Sequence, residues 1–162
     1  MNQDDAAAER LIFLARVVRK ECGHLQATDA RLFNEPFVPT SVVRMETDAA
    51  LAERVDAFVS RFGRLQDTLG DKLLPALLAL LGERTKVFVD NLDKAERLGW
   101  VDSVNDWLAM RQLRNQMVHE YIEDPEILVN ALNAGHAFVP ALLSAADRMT
   151  GEITRRIEIG SA

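Results

Sequence analysis

The chain has few of the residues that build crosslinks, metal sites or sheets. It holds one cysteine, Cys22, among 162 residues. A disulfide needs two thiols and a structural zinc site needs several ligands, so neither can be assembled from it. The expected state of Cys22 is a buried, reduced thiol in a cytosolic protein. No stretch alternates apolar and polar residues over a useful length, and no internal repeat is present, which argues against a sheet or a solenoid. There is no glycine-rich phosphate loop. No Ser-His-Asp arrangement stands out, and no Glu-x-x-His or His-x-x-x-His pair offers a metal site. No metal and no cofactor are therefore expected. No apolar run is long enough to span a bilayer and no signal peptide is recognisable. A cytoplasmic protein without membrane contact is the expectation. Basic charge is scarce as well: 19 Lys and Arg stand against 25 Asp and Glu, a net charge of −6. That excludes a general nucleic-acid coat, because phosphate binding needs a basic surface. It leaves room for a small basic cleft on an acidic body.

What the chain does have is helical periodicity and apolar content. Apolar residues make up 48%, enough for one domain, residues 1–162, with a real core. A first helix should start at Asp4 or Asp5, with Leu11, Leu14, Ala15, Val18, Cys22 and Leu25 as its stripe. Arg10, Arg16, Arg19 and Lys20 read as its solvated face, and His24 as a surface or capping residue. Pro36 and Pro39 mark an extended link over residues 35–39. A second helix is predicted over residues 47–69. Its Leu51, Val55, Phe58, Phe62, Leu65 and Leu69 repeat at spacings of four and three, a bundle seam. After Gly70, a nearly all-apolar piece over 73–81 carries Pro75 in its first turn. A third helix is expected over 83–98, stopped by Gly99. Asp124, Pro125 and Glu126 form a helix start: a capping acid, a proline at the first position and an acid in the first turn. Pro140 should kink or split that last helix, and the C-terminal Gly160, Ser161 and Ala162 should fray. The fold class predicted is all-α, an up-and-down bundle of four to six helices.

One predicted helix does not fit a plain core. Over residues 107–121, capped by Asp102 or Ser103, a regular helix puts Gln112, Gln116 and Glu120 on one solvent stripe. Trp107, Met110, Met117, Val118 and Ile122 cover the opposite arc. Arg111, Arg114 and Asn115 fall inside that apolar arc, with His119 and Tyr121 on its edges. A polar group taken out of water without a partner costs about 1–3 kcal/mol, and a charge costs more. One histidine beside arginines and an amide suits RNA cleavage. An unperturbed histidine titrates near pH ~6.5 and can move protons at neutral pH. An arginine can hold a phosphate bidentately and offset the charge of the transition state.

Arg114, four residues, His119, one residue and Tyr121 spell Arg-x4-His-x-Tyr, with Asn115 after the arginine. Together with Arg97-Leu98-Gly99-Trp100 and Trp107 upstream, this resembles the HEPN superfamily in its HepT-like toxin branch. The resemblance implies a HEPN-like helical domain and a metal-independent endoribonuclease, the toxin of a toxin–antitoxin pair. It implies Arg114 and His119 as catalytic residues, with Asn115 and Arg111 in support at the RNA. It implies a homodimer with the motif at the interface, and a minimal nucleotidyltransferase antitoxin that adds AMP to Tyr121. A non-catalytic HEPN module that binds such a nucleotidyltransferase is the alternative. On a regular helix Arg114 and His119 diverge by ~140°, so they cannot both face one phosphate. Either the helix departs from regular geometry near His119, or two chains contribute to one cleft.

Overall fold

The structure, a computed structural model, describes residues 2–84, 87–120 and 124–161, with 119–120 and 158–161 described by their backbone only. It is helical, with no strand among the described residues. The α-helices are α1 (Gln3–Leu32), α2 (Pro39–Arg44), α3 (Ala49–Asp67), α4 (Leu74–Leu80), α5 (Phe88–Arg97), α6 (Val104–Asn115) and α7 (Pro125–Ser161). Two π-helical turns join them, Thr68–Leu73 between α3 and α4, and Gln116–Glu120 after α6. An all-helical bundle is what the periodicity called for. The chain packs as two compact units, one of Met1–Cys22, Leu65–Val104 and Ala141–Ala162, the other of Gly23–Arg64 and Asn105–Pro140.

In the first unit Leu11, Leu14 and Val18 of α1 are buried, as are leucines 69, 73, 74, 77 and 78. The sequence suggested a break at Gly70. The backbone instead runs on through it in π geometry and keeps Leu69 and Leu73 fully buried. An i→i+5 turn admits one more residue than an α-turn, which re-phases the leucines that follow. Two glycines then end helices. Gly82 and Gly99 have φ of +76° and +79°. After α4, Glu83 donates to the Leu78 carbonyl at 3.0 Å; after α5, Trp100 donates to the Ala95 carbonyl at 2.9 Å. Both are the six-to-one closures that a left-handed residue permits. The stop at Gly99 is as expected, while α5 starts at Phe88 and not at residue 83. Arg148 of α7 donates to the Gly99 carbonyl and to Asp102 at 3.2 and 2.7 Å. Cys22 is half-buried. Burial first, then Glu21 and Asp147, push its thiol up to about 11, so it stays protonated near neutral pH.

In the second unit the seam of α3 turns inward as predicted, with Leu51, Val55, Phe58 and Phe62 buried. Phe58 stacks on Phe62 at 5.5 Å and meets Phe33 edge-on at 5.3 Å. Asp48 caps α3, accepting from Leu51 N–H at 3.1 Å. The link at 35–39 is extended only up to Val38. Pro39 opens the short α2, because a proline is preset for the first helical position, and Ser41 Oγ accepts from Val38 N–H. His136 stacks on Phe33 at 4.1 Å and meets Asp29 Oδ1 at 2.7 Å. His24 is exposed.

The helix ends differ from the expectation in small ways. Asn2, not Asp4 or Asp5, caps α1, its Oδ1 accepting from Asp4 N–H at 3.1 Å. Asp124 accepts from Glu126 N–H at 3.0 Å at the start of α7, as predicted. Pro140 lies inside α7 without splitting it, and the helix runs through Ser161; Ala162 lies outside the described residues. Residues Pro125–Ile157 are long and apolar enough, by composition alone, to cross a membrane, contrary to the sequence reading. Leu128, Leu132, Leu142 and Ile153 of this helix are buried within the protein's own packing, and a core helix passes the same test.

Candidate functional site

The motif helix α6 begins after Ser103, where Glu96 Oε2 accepts from Val104 N–H at 2.8 Å. Trp107 and Met110 point inward, 2% exposed each. Arg111 and Arg114 lie one turn apart, so they share a face, and both are half-buried. Asn115, placed in the apolar arc by the regular wheel, is exposed.

Arg114 lies against α3 at Gly63. A Cβ built on Gly63 would come 2.5 Å from Arg114 Nε and 3.0 Å from its Cδ. Glycine inside a helix costs roughly 0.5–1 kcal/mol relative to alanine, so its presence there has a reason. The reason is room for the arginine side chain. The next motif residue turned inward, Met117, is 1% exposed and meets another glycine. A Cβ on Gly135 of α7 would come 2.6 Å from Met117 Cε and 3.4 Å from Phe58 Cε1. Glycines on two flanking helices thus receive Arg114 and Met117. Apolar periodicity alone gives neither glycine a role. A lone glycine inside a helical pattern is the signal that would have marked both.

After Asn115 the helix changes type. Residues Gln116–Glu120 form a π-turn, whose i→i+5 closure makes each residue advance less than the ~100° of an α-helix. The regular wheel loses its phase here, although Met117 stays buried as assigned. Val118, assigned to the apolar arc, is 43% exposed, while Gln116, assigned to solvent, is half-buried. The side chain of His119 lies outside what is described, as do Tyr121 and Ile122. On a regular helix Arg114 and Tyr121, seven residues apart, would lie ~20° from each other; the π-turn between them breaks that regularity. Among the described residues, no group of three or more metal-ligating side chains forms a cluster.

Compared with models of known families, with curated proteins and with solved structures, the chain matches none. The likeness to HEPN proteins rests on the motif residues alone.

Gly63→Ala tests the placement of Arg114. The added methyl must displace the guanidinium stem, while alanine favours the helix by up to about 1 kcal/mol. The melting temperature should stay within a few degrees of the parent. Under the ribonuclease activity that the motif's resemblance implies, cleavage should fall at least about tenfold where Arg114 holds the phosphate. Equal cleavage by both proteins would remove Arg114, as placed here, from the reaction.

Proposed function

We propose that the chain is a HepT-like HEPN endoribonuclease, the toxin of a pair whose antitoxin is a minimal nucleotidyltransferase. The observation that carries this reading is the π-turn at Gln116–Glu120, directly after an arginine held over a glycine. It supplies the departure from regular helix that an Arg-x4-His motif needs in order to serve one phosphate. π-turns inside α-helices occur often at functional sites.

In the proposed reaction His119 takes the proton of a ribose 2′-hydroxyl, or hands one to the departing 5′-oxygen, and solvent water makes the other of the two transfers. The 2′-oxygen attacks phosphorus, the bond to the 5′-oxygen breaks, and Arg114 offsets the charge on the phosphoryl oxygens. Arg111 and the exposed Asn115 support the RNA. The charge stabilisation comes from guanidinium, so the scheme calls on no metal. The assay is cleavage of an end-labelled RNA by the purified chain in EDTA. Absence of cleavage would favour the non-catalytic module that binds a nucleotidyltransferase.

Pairing of two chains through the motif helices in the cytoplasm belongs to the same proposal, since a dimer doubles the local positive charge. Light scattering at micromolar concentration should give twice the 18.1 kDa of one chain; a monomer mass would overturn the pairing.

The proposal extends to Tyr121 as the acceptor of AMP. A phosphodiester near the motif would add negative charge and repel the RNA backbone. With the nucleotidyltransferase, ATP and a divalent metal, intact-mass spectrometry should show steps of one AMP, absent in Tyr121→Phe. If Tyr121→Phe is silenced as fully as the parent, the switch is elsewhere.

A further inference from the structure

A row of arginines lies on α3 away from the motif. Arg54 and Arg61 are seven residues apart, ~20° on a helix, whereas Gly63, which receives Arg114, is ~180–200° from both. The arginine row and the Arg114 contact therefore use opposite faces of α3. Two cavities of about 360 and 230 Å³ open along the row. They share Arg31 and Arg54; the larger adds Arg44 and the smaller adds Arg61.

The charges there do not balance. Arg44 has two loose partners, Glu35 at 3.7 Å and Asp48 at 3.8 Å. Arg61 donates to the His24 carbonyl and to the Thr28 hydroxyl, both neutral. Arg31 is exposed and has no ion pair among the described residues. Together the two linings hold four arginines, Arg31, Arg44, Arg54 and Arg61, against three acids, Glu35, Asp48 and Glu53, and Arg31 and Arg54 border both cavities. Within a chain of net charge −6, such a local excess of positive charge is not a consequence of composition. Arg54 adds a second, independent observation. Its Nε is closed off from solvent and meets no acceptor among the described residues. A charged donor without water or acceptor is costly and is seldom left so in a folded protein.

We propose that the Arg31, Arg44, Arg54 and Arg61 cavities form a phosphate-binding site, separate from the motif and open to a nucleotide or to an RNA backbone phosphate. Arg31 and Arg54 face both cavities and grip the phosphoryl oxygens. Guanidinium matches that group because its planar fork offers paired N–H donors to two oxygens at once. Arg61, fixed by Thr28 and His24, supplies field and not a direct bond. The larger cavity, about 360 Å³, falls within the range of small-ligand pockets, and the smaller one extends it along the arginine row. The site stands on these residues alone and does not depend on the ribonuclease reading.

Calorimetry and thermal shift on the full chain at low salt test it, with inorganic phosphate and AMP as probes and sodium chloride at matched ionic strength as control. Phosphate and AMP should bind and raise the melting temperature where chloride does not. Arg31→Gln and Arg54→Gln should each weaken binding at least about tenfold with an unchanged helical spectrum. Should Arg54→Gln fail to fold, the exposed Arg31 decides by itself. A short single-stranded RNA that displaces bound phosphate identifies the backbone as the source; displacement by AMP alone identifies a free nucleotide, and either supports the site. No response beyond chloride, or unchanged affinity in Arg31→Gln, overturns it. RNA cleavage is not read, so failure here leaves the proposed reaction standing, and the converse also holds.

Discussion

On the proposed reaction, His119→Ala should lower RNA cleavage by about 10²–10⁴-fold, the usual loss when one general acid–base group is removed. The reasoning starts from what the motif contains. Arginine offers donors and a fixed charge, so guanidinium is no proton carrier. Asn115 does not titrate. His119 is the motif side chain whose chemistry spans neutral pH. The substitution falls in the π-turn Gln116–Glu120, whose buried anchor is Met117, so the fold should tolerate it. Far-UV circular dichroism of the variant should match the parent. Cleavage of the same labelled RNA, in EDTA and at equal protein concentration, is the measurement. Undiminished cleavage by the variant would sink the assignment. Loss of the parent's activity in EDTA would sink the metal-free scheme and leave the role of His119 open to a ligand reading.

Phe58→Ala should destabilise the protein by about 3–5 kcal/mol, the range for removing a large aromatic side chain from a core. Phe58 is fully buried, stacks on Phe62 and meets Phe33 edge-on. Truncation removes both ring contacts and leaves a cavity that the flanking helices can only partly close. Domains of this size hold roughly 5–15 kcal/mol in total, so the loss is a large share. A second effect follows from Gly135, where Phe58 and Met117 converge. With the ring gone, Met117 loses part of what holds the motif turn. Urea unfolding read by circular dichroism should shift to a clearly lower midpoint, and RNA cleavage should fall even where the variant is still folded. A shift worth under about 1 kcal/mol would show that Phe58 is not at the centre of this packing.

Much of the architecture was legible in local patterns. The seam Leu51, Val55, Phe58, Phe62, Leu65 and Leu69 is buried throughout. The stripe of α7, from Leu128 and Leu132 to Met149 and Ile153, is buried as well. Gly99 and the Asp124, Pro125 and Glu126 start act where they were expected, because stop and start signals work through the residue's own backbone preferences. Gly70 shows the limit of that logic. Its local preference for a break gives way to the burial of leucines on both sides.

The sequence by itself determined that the chain is helical, which face of most helices is apolar, and that polar side chains crowd one helix over residues 107–121. Those properties follow from spacing, and spacing is local. Only the tertiary structure decided that Gly63 receives Arg114 and Gly135 receives Met117, that the motif helix widens at Gln116–Glu120, and that Arg31, Arg54 and Arg61 gather at adjoining cavities. Periodicity tells which side of a helix turns inward, but not which residue of another helix it will meet. A π-turn has no local sequence rule, because it forms where packing on both sides rewards one extra residue. An arginine cluster drawn from separate helices exists only once those helices have packed.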